Sequence, residues 1–352
     1  MDVRRWAFDV CGLNRELTSL IRRRIQDEGP QPFAWFMEQV LYHPEHGYYS
    51  SDRAAIGRQG DYFTNVSVGP LFGQLLAIQF AEIWDRLGRI EHFEMVEQGA
   101  HHGEFAHDVL EFLQRRFPEF FSAVSYRIVE PFPKLQHRQS QTLKEFADRV
   151  QWRRSIDTLE PFTGIHFSNE LLDSMPINLR GKLVALDGDK FVFVDSPATE
   201  TINQSQLNWV RNVAMKLNRG VVLVIDYGFA KSEFREVLQV RAHHRLLDSP
   251  FEEIGSADVT AHVNWTEIAQ AAEKKGLRLI GFTDQHHFLT GIISAFPEIV
   301  AGDKSKRALQ TLLHPEMLGR SFQVLALSRD VELGASLSGF KFARDARAQL
   351  GL

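Results

Sequence analysis

The sequence predicts an α/β protein built on a parallel sheet. Three observations carry that prediction. From about residue 93 onward, short apolar runs alternate with amphipathic helical stretches, the rhythm of strand–helix–strand units. The segment 220–226 (GVVLVID) is apolar without interruption, as a strand covered on both faces must be. The first strand runs into a glycine-bearing turn and then a helix, at Glu97-Gln98-Gly99-Ala100-His101-His102-Gly103.

Taken in order, Leu17, Leu20, Ile21 and Ile25 form one apolar face of a helix over 14–28, stopped by Gly29-Pro30. A short second helix carries Phe33, Phe36, Met37, Val40 and Leu41. Residues 43–68 are punctuated by Pro44, Gly47, Gly57 and Gly60 and predict a long loop, a length usually reserved for a functional cover. Tyr48, Tyr49 and Phe63 on that loop are candidates to close over a ligand and exclude water. A helix over 70–87 follows the i, i+3, i+4 pattern through Phe72, Leu75, Leu76, Phe80 and Ile83. Strands are expected at 93–97, 126–130, 164–168, 220–226, 278–283 and 322–328, with helices at 103–116 and 133–149. Residues 177–195 break the rhythm: two strand-like pieces around Asp187-Gly188-Asp189 predict a hairpin inserted beside the sheet. The expected organisation is a helical region with its covering loop over 1–88, a core over 89–330 with the insertion at about 177–200, and a loosely held tail over 331–352.

The 352 residues are 44% hydrophobic and 24% charged, ordinary for a globular chain able to bury a large core. A net charge of −5 and a pI near 6.3 argue against a general nucleic-acid binder, which should be basic. The single cysteine, Cys11, allows no internal disulfide and fits a reducing compartment; it reads as a small apolar residue. No apolar run approaches the length of a bilayer, so no membrane insertion is expected. The N-terminus lacks a signal-peptide core, and Asp2 and Asp9 speak against a transit peptide, so a cytoplasmic location is expected.

Ligands of open α/β sheets lie at the carboxyl ends of the strands. Glycines at 99 and 103 let the chain turn sharply there, and the free N–H groups of the helix start favour a carboxylate. Glu130, at the end of the next strand, is placed to accept two hydrogen bonds from a ribose diol. This is a nucleoside-cofactor constellation of a Rossmann-like fold. With Gly99 and Gly103 alone it is not a full G-x-G-x-x-G, and a plain strand–turn–helix with a solvated glutamate fits these residues equally well.

Several segments together resemble the MidA family: PFAWFMEQVLYHPEHGYYS, IGRQGDYFTNVSVGPLFGQ, EQGAHHGEFAHDVL, YRIVEPFPKLQHRQ, HFSNELLDSMPI, VVLVIDYG and ADVTAHVNW, from residue 32 to about 265, with weaker echoes through TDQHHFL. The resemblance implies a class I S-adenosylmethionine-dependent methyltransferase fold with an N-terminal helical cap and an inserted β-hairpin subdomain, and S-adenosyl-L-methionine as cofactor. It implies that Glu97, Gly99, Ala100 and Gly103 form the cofactor loop and that Glu130 holds the ribose. It also implies that Gly60, Asp61 and Thr64 belong to a segment folding over the cofactor, and that Asn169, Glu170 and Asp173 form an Asn-Glu-x-x-Asp motif beside the methyl group. The chain departs from the family at His101, where the loop usually has a middle glycine, and at Glu236-Val237, which replaces a Gly-Thr pair.

Mitochondrial members of that family methylate an arginine on a complex I subunit. A guanidinium would suit an acidic mouth, because carboxylates bind its planar fork bidentately. Glu170 and Asp173 are the catalytic candidates, with His262 as general base; Asp226, Tyr227 and His244 are candidates for the acceptor site. Capping and turn formation are alternative roles for Asn169 and Asp173, loop anchoring for Asp226, and structural hydrogen bonding for His244 and His262. The adjacent histidine pairs at 101–102, 243–244 and 286–287 are expected to point apart, and there is no H-E-x-x-H or cysteine set, so no metal is expected. Three functions stay open: methylation of a protein arginine, O- or N-methylation of a small molecule, and an assembly factor that has lost catalysis. Family members can pair, so a homodimer is open too, although no heptad or interface stripe is visible.

Overall fold

A computed structural model describes residues 14–50, 64–197, 202–230, 238–243, 245–300, 302–332 and 334–352. The chain forms two compact units. The larger comprises residues 63–175, 204–237 and 261–352, the smaller 1–62, 176–203 and 238–260.

The larger unit is built on a sheet whose main strands are β1 (Phe93–Gln98), β2 (Val124–Val129), β3 (Val150–Arg153), β4 (Phe162–Asn169), β5 (Leu217–Phe229), β6 (Arg278–Asp284) and β7 (Phe322–Arg329). They lie in the order β6-β7-β5-β4-β1-β2-β3, and the short piece Val263–Asn264 pairs with the end of β5. Pairs from β3 across to β5 are parallel; β7 runs antiparallel to both neighbours. β5 is apolar from Val221 to Ile225 because it feeds two cores: Val221, Leu223 and Ile225 join one, Val222 and Val224 the other. The first core is closed by helices α1 (Leu71–Arg86), α2 (Glu104–Arg116) and α7 (Gln285–Ala295), through Phe72, Phe80, Phe105 and Phe288. The second is closed by α5 (Gln204–Lys216) and α6 (Trp265–Lys274), through Trp209, Val213, Trp265 and Ile268. Helices α3 (Pro118–Ala123), α4 (Pro133–Thr142), α8 (Asp303–Leu313) and α9 (Ala346–Leu350) complete the unit.

Glycine is obligatory where the central strands β4 and β5 face each other. Gly164 on β4 and Gly220 on β5 are paired, with φ of 147° and 143°. A Cβ on Gly164 would stand 2.1 Å from the Glu94 carbonyl oxygen, and one on Gly220 1.9 Å from that of Gly164.

In the smaller unit, helices Arg15–Glu28 and Phe33–Tyr42 accompany the expected hairpin, Lys182–Asp187 with Lys190–Asp195, which turns at Gly188. Phe33 and Phe36 meet Phe193 and Phe251 at ring-centroid distances of 5.7 and 5.3 Å. A second small sheet, containing Leu238–Ala242 and Arg245–Leu246, belongs to this unit, although the sequence reading placed it in the core. The helix over 71–86, read with the N-terminal region, covers the large sheet instead, because its residues are apolar almost all round.

Two further expectations are corrected. Residues 331–352 are no loose tail: Val331, Leu337, Phe340 and Leu350 are buried. The Phe340 ring fills the space that Gly281 leaves, where a Cβ would lie 2.5 Å from it, and the Thr266 hydroxyl donates to the Leu350 carbonyl at 2.7 Å. Tyr48 and Tyr49 are not free to close over a ligand. Tyr48 is wholly buried, and Tyr49 donates to Asp258 at 2.8 Å while stacking on Tyr42.

Candidate active site

The strand order reverses between β1 and β4, and such a switch point opens a crevice at the carboxyl ends of the two strands. Two of the six non-glycine residues with positive φ among the described residues stand at these ends, His101 after β1 and Glu170 after β4. A side chain in this conformation costs about 1–2 kcal/mol, and such outliers gather at functional sites.

The loop after β1 turns through Gly99 (φ 86°) and Gly103 (φ 88°), and Gly103 caps α2. Ala100 is buried, and its carbonyl closes the turn by accepting from the Gly103 N–H at 2.7 Å. His101 fills the middle position with φ 46°. Burial and the neighbouring His102 push its pKa down to about 3, so the ring is neutral; its buried Nε2 has no hydrogen-bond partner among the described residues. The His101 and His102 rings stack at 3.7 Å instead of pointing apart. The expectation for adjacent pairs fails here because it assumes regular helix or strand, and His101 is left-handed. With Glu104 the two histidines bring ligand atoms within 4.8 Å of one another, but Arg138 Nη1 lies 3.2 Å from His102 Nε2 and sets a fixed positive charge against the trio.

Below the loop, the Glu97 carboxylate is buried and accepts from the Tyr126 hydroxyl at 2.8 Å. Burial raises its pKa to about 8. Glu130 follows β2, also buried, and accepts from the Phe132 N–H at 3.0 Å and from Gln139 Nε2 at 3.1 Å. Burial raises it to about 7 against the pull of those two donors. Gln139 escaped the sequence reading. Its one signal is that α4 has no apolar stripe, so a polar side chain must turn inward, and Gln139 is the helix's buried residue.

After β4, Asn169 Nδ2 donates to Glu170 Oε1 at 2.8 Å, and Asn169 Oδ1 accepts from Asn65 at 3.0 Å. Asn65 in turn accepts from Gln285 at 2.8 Å, so a chain of three amides ends on the Glu170 carboxylate. Asn65 and Gln285 were not legible, since their partners lie 104 and 220 residues away. Thr64 is buried next to this chain and is engaged with Ser67, accepting from its N–H at 3.1 Å.

Asp226 is corrected. It was expected to face the acceptor, yet it is fully buried. Its Oδ2 accepts the N–H groups of Leu171, Leu172 and Asp173 at 3.1, 2.8 and 3.3 Å, and its Oδ1 accepts that of Tyr227 at 2.8 Å. It anchors the loop that carries Glu170, with burial raising its pKa and the four donors opposing. Asp173 is buried in the same loop, its carbonyl holding the Ala261 N–H at 2.8 Å. Tyr227 lies on Phe322 at 4.0 Å, half-buried against the first core. His262 meets Phe229 edge-on at 4.8 Å, and partial burial lowers its pKa. Gly60, Asp61, Phe63, Glu236, Val237 and His244 lie outside the described residues.

Residues 75–182 and 189–283 match the family described as "Putative S-adenosyl-L-methionine-dependent methyltransferase". The chain belongs to this family. A structure of a COG1565 superfamily member from Burkholderia thailandensis, bound to S-adenosyl-homocysteine, superposes with a TM-score of 0.83 at 29% identity, covering 95% of this chain and 96% of that one. The Drosophila melanogaster protein named "Protein arginine methyltransferase NDUFAF7 homolog, mitochondrial" is 25% identical across 88% of this chain and 84% of its own. The Homo sapiens protein named "Protein arginine methyltransferase NDUFAF7, mitochondrial" is 26% identical across 92% and 85%. The chain is therefore an S-adenosylmethionine-dependent methyltransferase of class I fold, as the MidA resemblance implied. The switch-point residues fit that cofactor: a glycine turn at a helix start, a buried acid on the neighbouring strand end, and in the turn itself a His101 Nε2 with no partner among the described residues.

Proposed function

We propose that this methyltransferase modifies an arginine side chain of a protein partner. The observation that carries the reading is the Glu170 carboxylate, presented on a left-handed residue at the end of β4 and aimed by the Asn169 amide. Two relatives named as protein arginine methyltransferases, similar over most of their length, support it. In this reading Gly99, Ala100 and Gly103 give the cofactor's carboxylate a helix N-terminus, Glu130 accepts from the ribose, and Glu97 and Asn169 line the methionine side. The bound cofactor supplies an electrophilic methyl on a sulfonium. Glu170 binds the guanidinium fork and polarises one nitrogen, while Asp226 holds the Glu170 loop rigid. Asp173 lies buried in the same loop, and His262, its pKa lowered by burial, is the group to take the proton.

The test is methyl transfer from labelled cofactor into an extract of cells lacking the protein. Label recovered as methylarginine after acid hydrolysis of the protein fraction, and lost at least a hundredfold with Glu170→Gln at unchanged cofactor affinity, supports the proposal. Label in the small-molecule fraction overturns it in favour of a small acceptor.

A further inference from the structure

Gln139 is fully buried on a helix whose other residues are exposed or only partly buried. The fold decides which way its amide faces. The Trp152 indole can only donate, and its Nε1 lies 2.9 Å from Gln139 Oε1. The amide nitrogen is thereby turned toward two acceptors, the His101 carbonyl at 2.8 Å and Glu130 Oε2 at 3.1 Å. One side chain thus spans from the loop after β1 to the acid after β2. We propose that Gln139 is a positioning residue of the cofactor site, which sets the spacing and orientation of the glycine loop and the Glu130 carboxylate relative to each other. The inference rests on the reading of Glu130 as the ribose acceptor.

The chemistry follows from what each partner lacks without it. Glu130 keeps the Phe132 N–H alone, its carboxyl is free to rotate, and it becomes harder to ionise, since each N–H donor favours the charged form. The His101 carbonyl loses the donor that ties the left-handed turn to α4. Ribose hydroxyls bond most strongly to ionised acceptor oxygens held in one place, so both losses fall on the same part of the ligand.

The experiment is calorimetric titration with S-adenosylhomocysteine and with its 2′,3′-dideoxy analogue, between pH 6 and 9. The proteins are the full chain, Gln139→Leu, Glu130→Gln and the double variant. Gln139→Leu is expected to lose about tenfold in affinity for S-adenosylhomocysteine, the weight of one hydrogen bond to a charged group. It should lose most of the preference over the dideoxy analogue, and affinity should fall away at a higher pH than in the parent as pH is lowered. The double variant should show no less preference than Glu130→Gln alone. Trp152→Phe, which unlocks the amide without emptying its site, should move the same readouts less far and serves if Gln139→Leu does not fold. Parental preference and an unmoved pH profile in the Gln139 or Trp152 variant, whatever the melting temperature, would overturn the proposal while leaving Glu130 in place. Full ribose preference in Glu130→Gln would overturn the assignment of Glu130 itself.

Discussion

Asp226 shows how a residue at a reactive strand end can be wholly committed to structure. Its two oxygens receive four backbone N–H groups, and no part of it reaches solvent. Asp226→Ala leaves those donors buried without partners and is expected to cost about 3 kcal/mol or more. The readout is a lower urea midpoint at an unchanged slope; an unchanged midpoint with weaker acceptor use would return Asp226 to the acceptor site. Glu97 gives a pH prediction. Its folded pKa of about 8 lies above the ordinary carboxylate value, so the unfolded chain releases this proton first. Stability from the buried neutral acid is full below the unfolded pKa and is lost as pH rises through about 8. Glu97→Gln, still able to accept from Tyr126, should therefore raise the melting temperature of the ligand-free protein at pH 8.5 and do so progressively less toward pH 5. A gap independent of pH would show that Glu97 does not titrate this way. Both acids stood out in the sequence because strand ends are where α/β ligands bind, but their unlike roles did not, since backbone donors 53 to 55 residues away are visible only in the fold.

Among the elements, the long buried strands were the most legible. β5 cannot be other than a central strand, because it lines two cores at once. β3 was missed for the opposite reason: Val150–Arg153 is a short edge strand with one buried residue, too polar to announce itself. The helix expected over 133–149 ends at Thr142, and its remainder holds a 3-10 turn that leads into this edge strand. Parallel pairing at the centre imposes its own demand on sequence. Gly164→Ala and Gly220→Ala each push a methyl into a neighbouring backbone carbonyl and force a left-handed φ on alanine. Each is expected to destabilise by more than about 4 kcal/mol, beyond the ordinary range for one substitution, and to leave little soluble protein. Soluble expression and melting within a few degrees of the parent would show that the strands can part there.

At the scale of the whole molecule, the sequence reading recovered one α/β body with an insertion but divided the chain too simply. Three separate stretches form the smaller unit, and the last of them, 238–260, carries no signal of its membership because its strands are short. The C-terminal stretch misled because it is rich in small and polar residues, although a few anchors bury it. Phe340→Ala is expected to cost about 3–5 kcal/mol, the range for emptying a buried aromatic site. Removing residues 331–352 should cost more and yield aggregated protein; a truncated chain that melts like the parent would restore the loose tail. The strand order has a further effect, felt during synthesis. β7 slots between β5 and β6, so on a ribosome the apolar edge of β5 emerges about a hundred residues before its partner. At about 5–20 residues per second that edge stays unpaired for many seconds. A nascent chain of this protein is therefore a natural client for chaperones until the last strand is made, and slow codons between β5 and β7 should lower its soluble yield more than slow codons placed after Arg329.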